Sequence, residues 1–256
     1  MKLDSEGNEE WRSSIGGSRD DVASRVLIHE GNFYLLGWTK SFGADGMDMF
    51  LAEFDSLGDL QWTRTYGRDG DEEPFAVTPI SNNGFVLVGS TTSIGSGGED
   101  VYFVETNHRG TLQAYESFGG TGNDIAHDVV EIPPTIDVEE RYAVVGQSNG
   151  EAYILLLNAD RELVREVFLT DLALASSLVV TLDLDLVIVG QTLSNNAYIL
   201  KVDLEGTVLG TILLGQDNVA NSVQETSDGG YLIGGTANTS PETSEMLVIK
   251  TDSEGN

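Results

Sequence analysis

The chain has no cysteine, which excludes disulfides, thiolate metal sites and a cysteine nucleophile. Proline is scarce, at five residues, and lysine scarcer still: Lys2, Lys40, Lys201 and Lys250 are the only ones. No run of about 18 apolar residues occurs, so no membrane-spanning helix is expected. Met1 leads straight into Lys2-Leu3-Asp4, and no signal peptide is visible. Basic residues number 13 against 42 acidic ones, for a formal net charge of −29. A surface of that sign repels nucleic acid and anionic membranes, so neither is an expected partner. Gly-x-Ser-x-Gly, His-Glu-x-x-His and phosphate-loop motifs are all missing.

What is present is a repeat. Apolar residues make up 40% of the 256, enough for a packed core, and 30 glycines are spread along the chain. An apolar strand ending in glycine recurs five times, at Phe33–Gly37, Phe85–Gly89, Tyr142–Gly146, Leu186–Gly190 and Tyr231–Gly234. The spacings between these glycines are 52, 57, 44 and 44. Each copy is followed by a second strand that ends in Asp or Asn and a turn, then by a third. The segment before each glycine strand, such as Val22–Ile28, reads as a fourth. Asn82-Asn83-Gly84 and Asp228-Gly229-Gly230 supply the positive φ angles that tight hairpins need. Four short strands per unit, with units that cannot bury both faces alone, is the anatomy of a propeller blade.

The termini repeat each other: Asp4-Ser5-Glu6-Gly7-Asn8 returns as Asp252-Ser253-Glu254-Gly255-Asn256. The expected fold is therefore all-β: one five-bladed β-propeller domain over 1–256 with four-stranded antiparallel blades. Blades are placed at 17–66, 67–118, 119–168, 169–214 and 215–256 plus 8–16. The N-terminal segment Glu9–Ile15 is expected to complete the last blade, a three-plus-one closure that removes free sheet edges.

The phrases Trp-x-x-x-x-Gly-Gly-x-x-x-Asp, Asp-Gly-Gly-Tyr-x-x-x-Gly-x-Thr and Lys-x-Asp-x-x-Gly resemble a prokaryotic repeat of secreted and cell-surface β-propellers, similar to the delta-sixty and kelch-like repeats. They are carried here by Trp11 with Gly16-Gly17 and Asp21, by Gly119-Gly120 with Asp124, and by Asp228-Gly229-Gly230-Tyr231. The fourth unit departs, since Leu163–Ala175 has no Gly-Gly pair. The resemblance implies an extracellular or cell-surface setting and leaves the role open, because such propellers do many things.

Aligning the units puts Asp21, Glu72, Asp124, Ala173 and Asn218 at one equivalent position, just before the innermost strand. Three carboxylates and an amide there could hold a hard cation such as calcium. The competing reading is local: an Asp after Gly-Gly caps its own turn. Trp11 and Trp62 share a repeat position and read as blade packing. Trp38 follows the anchor glycine in one unit only, which suits stacking on a sugar or gripping a partner. His29 and Asp128, on or near inner strands, complete the ligand-binding candidates. Asn238-Thr239-Ser240 is an N-glycosylation sequon in a predicted loop.

The acidity, with so few lysines, fits either a salt-adapted protein or a calcium-rich extracellular one. The leading function is a non-enzymatic binding or scaffold propeller of a cell-surface or secreted assembly. It would contact a protein or carbohydrate through loops and channel mouth. The alternatives are a glycoside hydrolase-like enzyme with channel carboxylates, and a structural repeat unit of a filament or stalk. The matching ends also suggest self-association through the termini, or a place within a larger parent chain.

Overall fold

The computed structural model describes residues 1–135, 138–240 and 243–256. Its contacts divide the chain into two compact units, Met1–Asn123 and Asp124–Asn256. All regular structure among the described residues is β.

Unit 1 opens with a short hairpin of β1 (Lys2–Leu3) and β2 (Glu9–Trp11). Its first large sheet is β3 (Asp21–His29), β4 (Asn32–Thr39), β5 (Asp48–Phe54) and β6 (Leu60–Tyr66), paired antiparallel in that order. The second is β7 (Glu72–Pro79), β8 (Phe85–Thr91), β9 (Asp100–Thr106) and β10 (Leu112–Phe118). Unit 2 holds β11 (Asp124–Glu131), β12 (Glu140–Ser148), β13 (Glu151–Asn158) and β14 (Leu163–Phe168), then β15 (Leu172–Val180), β16 (Leu186–Thr192), β17 (Ala197–Val202) and β18 (Val208–Gly215). Its last sheet has three strands: β19 (Asn218–Glu225), β20 (Tyr231–Ser240) and β21 (Thr243–Lys250).

The sequence explains the layering. β5, β8 and β9 are buried at every position, and their middles are apolar, with Asp, Glu, Ser and Thr kept towards the strand ends. The last strands of the four-stranded sheets, such as β6 and β10, alternate between exposed and part-buried residues and carry the polar side chains. Every first strand also has a bulge at the same repeat position. Ser24, Phe75, His127, Ser176 and Asn221 are each the extra residue opposite the glycine strand. A bulge bends its strand and raises the local twist, so all five sheets turn alike.

That register identifies the anchor glycine. Gly37, Gly89, Gly146 and Gly190 pair with the residue just before the bulge. A Cβ on any of them would run into a backbone carbonyl oxygen of the first strand. In the last sheet the residue in that position is Gly235, which pairs with Ala220 and faces the Val219 carbonyl. The expected Gly234 is one residue early.

The turn after each third strand is also uniform. In Asp55–Asp59 the Asp55 and Asp59 backbones bond each other, Gly58 N–H donates to the Asp55 carbonyl, and Asp55 Oδ1 accepts from Leu57 and Asp59 N–H. Asn107–Thr111 and Asn158–Glu162 repeat the arrangement. So do Asp4–Asn8 and Asp252–Asn256, with matching bonds at both ends of the chain. A carboxylate or amide gathering N–H groups two and four residues ahead fixes such a turn without a core.

Within unit 1 β2 pairs with β1, and within unit 2 the last sheet has three strands among the described residues. The Asp4–Asn8 turn makes residues 2–11 a hairpin in their own right, so β2 finds its partner locally. Asn238 lies in β20, opposite Ser244, rather than in a loop, because β20 and β21 stay paired beyond the expected strand end.

Candidate functional site

Two of the carboxylates aligned by the repeat, Asp21 and Glu72, close their own turns. Asp21 Oδ2 accepts from Gly17 N–H at 2.8 Å and from Ser41 Oγ at 2.8 Å, and Oδ1 accepts from Thr39 Oγ1. Burial pushes its carboxyl up, but the bonds from Thr39, Gly17 and Ser41 outweigh that and hold it below its ordinary value. Glu72 likewise bonds donors of its own turn and sheet in the second sheet. Its Oε2 accepts from Arg68 N–H at 3.0 Å, and its Oε1 from Thr91 Oγ1 at 2.7 Å and from Ser93 Oγ. Asp124 heads β11 and is buried, and Asn218 heads β19, so all four stand at the same sheet position, each in its own blade. Among the described residues no three His, Cys, Asp or Glu side chains gather as a metal site would require.

Asp48, at the start of β5, behaves differently. It is 1% exposed, with Ala44 N–H donating to Oδ2 at 2.9 Å. Gly67 lies where a Cβ would run into both Asp48 and Glu72, so the two carboxylates close on one spot. Burial, reinforced by the charge of Glu72, raises the Asp48 carboxyl to about 6, against the pull of the Ala44 N–H.

The ligand candidates separate. His29 packs into the core between the first two sheets, its ring 5.9 Å from Phe85 and edge-on at 80°. Asp128 ties β11 to β15: its Oδ2 accepts from Ser177 Oγ at 2.7 Å and Leu178 N–H at 3.2 Å. Trp38 is half-buried in the wall of a groove on the first sheet, with Lys40 Nζ 5.7 Å from its ring centre.

That groove is an open apolar cleft of unit 1. It encloses about 500 Å³, within the range of ligand pockets. Its floor is Phe33, Leu35, Phe50 and Phe54, its walls are Trp11, Trp38 and Phe42, and Val22, Val26 and Ile28 project from β3. Val26 and Ile28 are 66% and 67% exposed. Trp11 is fixed edge-on to Phe33 at 5.2 Å, and its Nε1–H donates to the Ser56 carbonyl at 3.2 Å. Trp62 packs over Gly110 as Trp11 packs over Gly58, the blade-packing role expected of both.

Sequence reasoning found Trp38 and missed Val22, Val26 and Ile28. At the place of Val26 the other sheets carry Val77, Val129, Leu178 and Val223, so hydrophobicity alone does not mark it. What sets them apart is the lack of a sheet over this face among the residues of unit 1, and no single repeat encodes that.

No protein-family profile matches the chain, and no curated protein matches it. Solved structures do. A protein of unknown function from Bacteroides caccae is similar with a TM-score of 0.65 at 11% identity, over 93% of this chain and 80% of that one. A catalytically inactive virginiamycin B lyase from Staphylococcus aureus, solved with quinupristin, gives 0.61 at 10% identity, over 91% and 72%. The Dos1 propeller gives 0.58 at 13% identity over 99% of this chain, which spans 59% of that one. At such identities the likeness concerns fold alone, and it agrees with the five bulged antiparallel sheets: the chain has the fold of a five-bladed β-propeller.

Proposed function

We propose that the chain is a non-enzymatic binding or scaffold module whose contact surface is the apolar groove of the first sheet. One observation carries this reading: Val26, Ile28 and Phe42 stand exposed beside Phe33, Phe50 and Trp38 in a single concave patch. Exposed apolar patches of this kind mark interaction sites in soluble proteins. The groove favours a protein surface over a sugar. Its lining is aliphatic and aromatic, and its carboxylate, Asp21, already accepts bonds from Gly17, Thr39 and Ser41. Membership of a cell-surface or secreted assembly rests on the resemblance of the repeats.

The test is affinity capture from the source organism with immobilised wild-type chain and with the double variant Val26→Asp, Ile28→Asp. Both sites are exposed, so the variant is expected to fold and to lose the captured proteins. Equal recovery on both columns would place the contact elsewhere.

A further inference from the structure

One position of the repeat stands seven residues after the head of each Asp- or Asn-led turn. Trp11, Trp62, Ala114, Arg165 and Gly210 hold it. Trp62 lies opposite Glu53 and Gly210 opposite Lys201, the same register in both sheets. In unit 1 Trp11 covers the Asp55–Asp59 turn: its ring lies against Gly58, its Nε1–H donates to the Ser56 carbonyl at 3.2 Å, and Phe33 meets it edge-on. Trp62 covers Gly110 of the Asn107–Thr111 turn. In unit 2 Arg165 covers the Asp203–Thr207 turn, and its Nη1–H donates to the Leu204 carbonyl at 2.8 Å. Ser56 and Leu204 are each the second residue of their turn, so an indole and a guanidinium answer the same acceptor.

Gly210 has no side chain to lay on the Asp252–Asn256 turn, and a pocket of about 200 Å³ stands at that place. Every residue lining it belongs to unit 2. Val187, Ile199 and Tyr231 form a buried floor, and Ser253 and Gly255 of the turn bound one side. A Cβ on Gly210 would meet nothing within 4 Å. The partners of the Trp11 indole thus recur around the pocket: Ser253 in the place of Ser56, Gly255 in that of Gly58 and Tyr231 in that of Phe33.

We infer that this pocket binds an indole-class ring, a flat neutral aromatic group with an N–H donor. The site lies in unit 2 and does not depend on the groove. Its size agrees: a cavity of about 150 Å³ takes up benzene, so about 200 Å³ suits a fused bicyclic ring. Tyr231 selects an aromatic occupant. The residue four before the anchor glycine is Phe33 or Phe85 in the sheets that follow Trp11 and Trp62, but Leu186 in the sheet that follows Arg165. At the pocket it is Tyr231, whose ring offers another aromatic the edge-on contact that Phe33 makes with Trp11. Lys201, at the rim with its Nζ 3.0 Å from Asp185, disfavours a guanidinium there. The Ser253 carbonyl is the acceptor for the ring N–H. A free indole compound and a tryptophan side chain both carry this group, and their affinities separate the two sources.

The experiment is calorimetric titration of the full chain with indole, N-methylindole, free tryptophan and a capped peptide with a central tryptophan. Wild type is expected to bind indole saturably, and N-methylindole about fivefold more weakly for want of one neutral hydrogen bond. Gly210→Trp is expected to supply the ring from within, losing the binding and melting at a higher temperature than wild type. Gly210→Ala, whose Cβ has room, is expected to bind as wild type does. A peptide that binds more tightly than indole and free tryptophan assigns the pocket to a protein segment, and the reverse order assigns it to a small molecule. Absence of saturable binding by all four to folded wild type overturns the inference. So does a cooperatively melting Gly210→Trp that binds indole like wild type. Equal affinity for indole and N-methylindole overturns the N–H donor that defines the class. Amide shifts of wild type on adding indole read the site without any variant: changes at Gly210, Tyr231 and Gly255 are expected, and changes confined to other residues overturn it.

Discussion

Asp48 holds a carboxyl group in a place that disfavours its charge. Its ordinary value is 3.8 and its folded value about 6, raised by burial and by Glu72. The folded state therefore binds the proton more tightly than the unfolded one. Whatever stability Asp48 contributes is present in full below pH ~4 and is lost as pH rises through about 6. Asp48→Asn removes that dependence and keeps an oxygen to accept from Ala44 N–H. The variant is expected to be more stable than wild type at pH 8 by about 2 kcal/mol and to converge with it near pH 4. Urea melts at the two pH values measure the difference, and a constant offset would contradict it. Asp21 sits at an equally acidic point of the repeat yet moves the opposite way, because two hydroxyls and an N–H face it. The sequence aligns Asp21 with Glu72 correctly, but it does not show which carboxylates meet donors and which meet each other.

At the scale of the strand, the repeat was legible because each sheet reuses the same turn, bulge and anchor glycine. The recurring apolar strand ending in glycine, followed by a strand that ends in Asp or Asn and a turn, is what exposes the four-stranded unit. The failures arose where two positions satisfy the same local pattern. Gly234 and Gly235 both end an apolar run, and only the pairing of Ala220 with Gly235 decides between them. Gly235→Ala would drive a Cβ into the Val219 carbonyl and is expected to cost unit 2 about 2–3 kcal/mol. Gly234→Ala meets only the Ser222 hydroxyl, which can rotate away, and is expected to be nearly neutral. Thermal melts of the two variants decide it, and equal losses would mean that the anchor is misassigned. Only Trp38 of the binding candidates could be singled out in advance, because it is unique to its repeat. Phe33 and Leu35 could not, since Phe85 and Leu87 look the same and are buried.

For the whole molecule the dominant quantity is the charge of −29. Like charges at this density oppose compaction, and added salt screens them. Asp21 and Glu72 already use both oxygens on donors of their own sheets, so stabilisation is expected to follow ionic strength rather than the identity of the cation. Melting temperature is expected to climb between dilute buffer and molar KCl, and millimolar calcium is expected to match EDTA at equal ionic strength. A calcium effect well below the screening range would instead point to a bound ion, since only a ligand of the native state stabilises in that way.

The identical turns at Asp4–Asn8 and Asp252–Asn256 have a practical corollary. Because their backbones and side-chain bonds coincide, one can stand in for the other. A gene in which the codon for Asn256 is followed directly by that for Glu9 of a second copy would join two copies through a turn both already make. No linker would have to be designed, and the seam would fall on a turn found six times among the described residues, at Asp4, Asp55, Asn107, Asn158, Asp203 and Asp252. The protein thus carries its own splice point for concatenation.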